Sequence, residues 1–211
     1  MRLYNYWRST SSWRVRIALA FKDVDYDYEF VDLVEGEQHG EPFTAKNPMG
    51  QVPLLEFEEG GQTFHIGQSM AIMEYLEERY PSPRLLPANP IDRAHARQMA
   101  EAVNSGIHPL QNLAPKVYVR DEFGEDGEAW CRHWIEVGFD ALEKMVDRFG
   151  GDFCVGDEPS FADICLVPQM YNARRYEVDL APYENLRRVE ENCVDLAPFE
   201  AAHPDQQPDA H

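Results

Sequence analysis

The chain has no apolar stretch approaching the roughly 20 residues needed to cross a bilayer. Its start shows no apolar run closed by a small-residue cleavage site. Membrane insertion and a signal peptide are therefore not expected, and the cytoplasm is the expected compartment. Cysteine is scarce: four residues, at 131, 154, 165 and 193, with no Cys-x-x-Cys pair. Such spacing argues against a disulfide scaffold and predicts four reduced, mostly buried thiols. Positive charge is also in deficit, with 19 Lys and Arg against 38 Asp and Glu, for a formal net charge of −19. Nucleic acid, which wants a basic surface, is not an expected partner. His65, His95, His133 and His203 have no metal-ligand spacing and are read as structural or surface residues. No internal repeat is present.

What remains is a chain able to fold and locally able to hold anions. Hydrophobic residues make up 44% and aromatics 12% of 211 residues, enough for one large domain or two small ones. The basic residues are not evenly spread. The first twenty positions hold Arg2, Arg8, Arg14 and Arg16 and no Asp or Glu, so the other 191 residues carry −23. Within that segment the run Ser9-Thr10-Ser11-Ser12 sits between a predicted strand (2–7) and a predicted helix (13–21). A basic, hydroxyl-rich turn in an acidic protein suits an anion. Taken alone, it reads first as an ordinary helix cap.

The order of elements gives the fold class. After the helix, residues 26–33 alternate apolar and acidic side chains as a strand does, and 34–48 form a loop with one helical turn. Val52-Pro53 directly precedes an apolar strand. Proline cannot donate to a sheet ladder, so a cis bond at a tight turn is expected there. Gly60-Gly61 marks a hairpin, residues 63–66 its return strand, and Ser69 starts a helix with apolar positions 72, 73, 76 and 80. This β-α-β, β-β-α order is that of a thioredoxin-like domain, placed at 1–82. Prolines 81, 83, 87 and 90 mark a linker. The remainder, 88–211, reads as all-helical, with helical periodicity over 91–120, 128–149 and 161–175. Ser160 and Asp163 have the spacing of a capping box. The tail from His203 is polar and is expected to be ordered only by docking.

A thioredoxin-like half followed by an all-helical half resembles the cytosolic glutathione transferases. The motifs RSTSSWRVRIAL, NPMGQVP, Gln68-Ser69 before AIMEYLEERYP, GIHPLQNL, GDEPSFADICLVPQ and NARRYEVDLAPY are similar to those of the zeta class, over nearly the whole chain. That resemblance implies glutathione as cofactor and Ser9 as the hydroxyl that activates its thiol, with Thr10 and Ser11 lining the same turn. Gln38, Val52, Pro53, Gln68, Ser69, His108 and Asn112 match glutathione-binding positions. Arg8 and Arg175 match positions near an acidic substrate, and Arg174 is expected to be solvated. Where many relatives have Ser-Ser-Cys, this chain has Ser9-Thr10-Ser11, which removes an auxiliary thiol and keeps the activating hydroxyl.

The implied reaction is cis–trans isomerisation of maleylacetoacetate, a small dicarboxylic keto acid of aromatic amino acid catabolism, by a homodimer. Three alternatives stay open: maleylpyruvate isomerisation, general glutathione transfer or dehalogenation, and a non-catalytic binding module. Arginines just after the His-Pro-x-x-Asn segment tend to accompany the maleylpyruvate reaction. Here Leu113-Ala114-Pro115 follows, which favours the longer substrate. Arg14 and Arg16 are expected to make structural ion pairs. Tyr4 and Tyr6 resemble the tyrosine other transferase classes use, but a strand position favours core packing.

Overall fold

The computed structural model describes residues 1–210. β1 (Arg2–Asn5) buries Leu3, Tyr4 and Asn5, and β2 (Asp27–Phe30) runs parallel to it, with Leu3 opposite Tyr28. β3 (Leu54–Glu59) lies antiparallel on the other side of β1, and β4 (Gln62–Gly67) antiparallel to β3. The sheet order is therefore β2-β1-β3-β4. The β3–β4 hairpin turns on Gly60 and Gly61, with φ of 59° and 79°, the left-handed values that a two-residue hairpin loop requires.

α1 (Thr10–Phe21) connects β1 to the parallel β2. A 3-10 turn (Glu37–His39) and the one-turn α2 (Glu41–Thr44) occupy the loop beyond β2. α3 (Ser69–Arg79) follows β4 and packs against α1 through fully buried Ile72, Met73 and Leu76. This is the thioredoxin-like arrangement the element order predicts. Two boundaries move. α1 begins three residues before Trp13, because Ser9 caps it. Tyr80 lies beyond α3 with φ −126°, so the fourth apolar position expected on that helix is outside it.

The second compact unit is helical: α4 (Pro90–Glu101), a π-helical segment (Ala102–Ile107), α5 (His108–Gln111), α6 (Leu113–Phe123), α7 (Gly127–Phe149), α8 (Phe161–Arg175) and α9 (Glu184–Val194). α8 is buried along almost its whole length. Its start is fixed by the expected capping box: Ser160 N–H donates to Asp163 Oδ2 at 2.8 Å, and Asp163 Oδ1 accepts from Cys154 N–H at 2.8 Å. The four cysteines are buried and form no disulfide. α9 lies beyond the segments predicted helical, although Leu186, Val189 and Cys193 recur at helical spacing and are fully buried.

The units divide the chain as 1–83 plus 197–211, and 84–196. The boundary expected from sequence gave 88–211 entirely to the helical part. The described residues from Ala197 on instead group with the sheet, because α10 (Ala197–Ala202) packs on α1. Phe199 meets Phe21 edge-on at 5.7 Å, and His203 meets Trp13 at 5.2 Å.

At the centre of β3, Glu56 gathers three neighbours: the Tyr4 hydroxyl donates to it at 3.1 Å, Lys46 Nζ lies at 2.8 Å and His65 Nε2 at 2.9 Å. Burial pushes this carboxyl up, but the hydrogen bonds from Lys46, His65 and Tyr4 outweigh it and hold it down at about 2. A carboxyl held below its unfolded value stabilises the fold fully above the ordinary carboxylate range and loses that contribution as pH falls through the folded value. Replacing Glu56 with Gln should therefore lower Tm at neutral pH and flatten the fall of Tm between about pH 4.5 and pH 2. Thermal melts of the two proteins across that range measure it.

Candidate active site

The hydroxyl run after β1 is built from both ends. Ser9 has extended backbone (φ −68°, ψ 111°) and its Oγ accepts from Ser12 N–H at 3.2 Å. It is thus the N-cap of α1, and Thr10 and Ser11 are the first two helical residues. The cap occupies a lone pair on Oγ and leaves the O–H as a donor. The cap and anion-site readings of this run are therefore compatible. Ser9 is half-buried, Thr10 is buried, and the Ser12 hydroxyl is enclosed. The positive end of the α1 dipole lies at the same turn.

The segment leading into Ser9 is held by Arg16, which is 1% exposed. Its guanidinium donates to Trp7 O at 2.8 Å, Tyr6 O at 3.3 Å and Asn5 Oδ1 at 3.1 Å, and its Nε to Ala202 O at 3.2 Å. The expectation of a structural ion pair at Arg16 is corrected here: all four acceptors are neutral. Arg14, also fully buried, donates to Ser69 Oγ at 3.3 Å and ties α1 to the start of α3. Arg8 is half-exposed, and its guanidinium lies over the Trp7 ring at 5.4 Å. Tyr4 has its hydroxyl committed to Glu56, and Tyr6 is 5% exposed and stacked on Phe30. Both tyrosines are core residues.

The other first-unit positions lie along three short loops. The Val52–Pro53 peptide is cis, as expected from sequence. Val52 precedes β3, whose ladder begins at Leu54, so its N–H and C=O stay outside the sheet pairing. Gln38 lies in the 3-10 turn, with its Oε1 enclosed and not hydrogen-bonded. That turn packs closely on Gly50, where φ is +60° and an added Cβ would sit 3.0 Å from Gln38 O. Only glycine combines that backbone with that approach. Gln68 has φ +70°, a costly conformation for a non-glycine residue and one that collects at functional sites. Its amide Nε2 donates to Gln51 Oε1 at 3.5 Å, and its carbonyl starts α3. Ser69, 2% exposed, is the first residue of that helix.

In the second unit, His108 opens α5 directly after the π-helical segment, a feature often found at functional sites. Asn112 spends its Oδ1 on capping α6, accepting from Leu113 N–H at 2.8 Å. Arg174 and Arg175 differ as adjacent helical residues should. Arg174 is not simply solvated: it makes a two-pronged pair with Glu190, both contacts at 2.5 Å. Arg175 is exposed, donates to Asn172 Oδ1 at 3.3 Å, and lies 5.9 Å from the Tyr176 ring centroid. Among the described residues no His, Cys, Asp and Glu group could hold a metal ion, and no helix is long and apolar enough to cross a membrane.

The first-unit set has a definite chemical character. It offers a hydroxyl donor at a helix N-terminus, a backbone edge outside the sheet, and a second helix N-terminus flanked by an amide and a hydroxyl. The first and third suit anionic groups, and the second suits an extended peptide backbone.

Comparison with known proteins agrees with that character. The glutathione S-transferase N-terminal domain family matches residues 1–78. A probable maleylacetoacetate isomerase 1 of Drosophila melanogaster is 47% identical over 98% of this chain and 82% of its own. The maleylacetoacetate isomerase of Anaeromyxobacter dehalogenans 2CP-1, solved with GSH bound in its active site, superposes with a TM-score of 0.93 at 52% identity, covering 100% of this chain and 97% of that one. It has also been solved with bound dicarboxyethyl glutathione and citrate. A maleyl pyruvate isomerase described as a bacterial zeta-class glutathione S-transferase gives a TM-score of 0.93 at 45% identity, each chain covered in full. With such identities along its whole length, this chain belongs to the zeta-class glutathione transferases, the maleylacetoacetate isomerase family.

Proposed function

We propose that the protein is a glutathione-dependent cis–trans isomerase acting on maleylacetoacetate. The observation that carries the reading is Ser9. Its oxygen is fixed by the Ser12 amide at the head of α1 while its O–H remains a donor. Bound glutathione supplies the thiolate that adds to the cis double bond and leaves after rotation, regenerated. The residues of this chain prepare that sulfur and hold the substrate.

A free thiol ionises near pH 8.5. A hydrogen bond from Ser9 to the anion contributes about 1.5–3 kcal/mol, a downward shift of about one to two pH units. The α1 N-terminus adds to it. Thr10 and Ser11, as the first helical residues, supply backbone N–H groups to that positive end. Val52 pairs with the peptide backbone of the cofactor, and cis Pro53 keeps that edge outside the ladder. Gln68 and Ser69 take its γ-glutamyl carboxylate at the head of α3, where Arg14 already fixes the Ser69 oxygen. Gln38 belongs to the same binding set in the first unit, and His108 and Asn112 are assigned to glutathione in the second.

The substrate is a dicarboxylate, and guanidinium matches carboxylate in fork geometry. Arg8 is held over the Trp7 ring and stays half-exposed. Arg175 is assigned the same duty, and the Arg174–Glu190 pair shows which of the two adjacent arginines is committed elsewhere. Each can also meet negative charge that develops on the substrate. The family resemblance further supports a cytoplasmic homodimer working in aromatic amino acid catabolism. The relative solved with dicarboxyethyl glutathione is consistent with a cofactor sulfur joined to a dicarboxylic acid.

Maleylpyruvate isomerisation is the close second reading, because that activity is named for a relative with the same TM-score of 0.93, at 45% identity. Exposed Leu113 and Ala114 stand where arginines accompany the shorter substrate. Steady-state assays with both substrates, with and without glutathione, separate the readings. Turnover should require glutathione and favour maleylacetoacetate; preference for maleylpyruvate reverses the assignment. Ser9→Ala should cut kcat about ten- to a hundredfold at neutral pH, and unchanged turnover removes Ser9 from its role. Arg175→Ala should raise KM for the dicarboxylate about tenfold or more while glutathione affinity stays the same.

A further inference from the structure

The C-terminal segment does more than cover α1. Asp209 reaches the turn that carries Ser9. Its Oδ2 accepts from the backbone N–H of Trp7 at 3.0 Å, and its Oδ1 accepts from the Tyr28 hydroxyl on β2. Trp7 is therefore gripped at both of its backbone groups, in two successive peptide units: its N–H by Asp209 and its C=O by Arg16 at 2.8 Å. One residue earlier, Tyr6 O accepts from Arg16 at 3.3 Å and from Ser9 N–H at 3.0 Å. The ring of Trp7 in turn supports the Arg8 guanidinium. Arg16 and Asp209 thus together hold the backbone between β1 and the capping serine.

The carboxylate is itself well placed to hold. Ala210 N–H donates to Gln207 O at 3.1 Å, closing the turn on which Asp209 sits. Gln207 Nε2 donates to His203 O at 2.8 Å and Ala201 O at 3.1 Å, tying that turn to the end of α10. Ala202 O is held by Arg16 as well. Burial, and then the bond to Asp209, push the Tyr28 phenol up, so it stays protonated and donates. The Arg16 guanidinium, though lowered by burial to about 10, is charged at neutral pH and adds attraction for the carboxylate.

We propose that Asp209 is a positioning residue for catalysis: by fixing the Trp7 peptide it sets the direction of the Ser9 hydroxyl and of the Arg8 guanidinium. The last residues of the chain are therefore part of the thiol-activating apparatus and not only a cover on the sheet domain. The proposal rests on the assignment of Ser9 given above. Without the Asp209 bond the Tyr6–Trp7 peptide unit loses the anchor on its N–H and can tilt, which moves the Ser9 oxygen relative to the sulfur while leaving Val52, Gln68 and Ser69 in place. A fault in Asp209 should then appear in thiol ionisation and kcat, not in glutathione affinity.

The test is a pH titration of thiolate absorbance in the glutathione complex, with kcat and glutathione Kd, for the wild type, Ser9→Ala, Asp209→Ala and Asp209→Asn. Asp209→Ala should raise the pH of half-ionisation in the same direction as Ser9→Ala and lower kcat about three- to tenfold. Its Kd should stay within about twofold of the wild type. Asparagine, which keeps one acceptor oxygen, should restore part of the loss. An Asp209→Ala titration that overlays the wild type while Ser9→Ala shifts overturns the proposal and leaves the Ser9 assignment standing. Titrations unmoved in both variants overturn that assignment as well. A parallel loss of kcat and of glutathione affinity would reduce Asp209 to general support and also overturns it. If alanine prevents folding, Asp209→Asn and Tyr28→Phe carry the test, since both keep side-chain volume; no shift in either counts against the proposal.

Discussion

A buried guanidinium organises the catalytic half of this protein. Arg16 is almost completely enclosed, and an enclosed charge is costly unless its donors are matched. The matching is done by backbone: Tyr6 O, Trp7 O and Ala202 O, with the Asn5 amide oxygen as the fourth acceptor. Those acceptors lie on the end of β1, on the loop into α1, and on α10. Satisfying one charge therefore fixes three pieces of chain at once, and the residue that emerges from the fixed loop is Ser9. Removing the side chain would take the guanidinium donor from three carbonyls in the interior, so the strut and the turn stand or fall together.

The arginines of the first twenty residues divide their labour according to burial. Arg14 and Arg16 are internal struts, one to Ser69 and the other to the loop. Arg8 stays at the surface on the Trp7 ring. Arg2 belongs with the carboxylates of the sheet, 3.7 Å from both Glu29 and Glu56. The basic start of an otherwise acidic chain is thus only partly an anion site. Half of its charge is consumed in internal struts, one of which fixes the hydroxyl and the helix terminus that we propose act on the sulfur.

Local chemistry was legible in the sequence, and distant closure was not. The hairpin at Gly60-Gly61, the cis bond before Pro53 and the capping box from Ser160 to Asp163 each depend on neighbouring residues, so composition and spacing reveal them. The thioredoxin-like order followed from alternation and helical periodicity, and the family resemblance supplied the site set around Ser9. Illegible were the contacts between residues far apart along the chain. Trp7 with Asp209 and Arg16 with Ala202 leave no periodic trace, so residues 197–211 were assigned to the helical part. Arg16 was expected to find a carboxylate because nothing in a linear reading shows that backbone carbonyls will surround it. The commitment of Arg174 to Glu190, sixteen residues on, was hidden for the same reason. α9 is a different case: Leu186, Val189 and Cys193 carried a readable signal in a segment dense with charge.

The central claim is that the fixed turn presents the Ser9 hydroxyl to the sulfur of glutathione. A crystal structure of this protein with glutathione bound tests it most directly. The account predicts the sulfur within hydrogen-bonding distance of Ser9 Oγ, with Ser12 N–H still bonded to the same oxygen and the cofactor backbone paired with Val52. A sulfur facing Tyr4, Tyr6 or Thr10 in place of Ser9, with the turn otherwise unmoved, would contradict it.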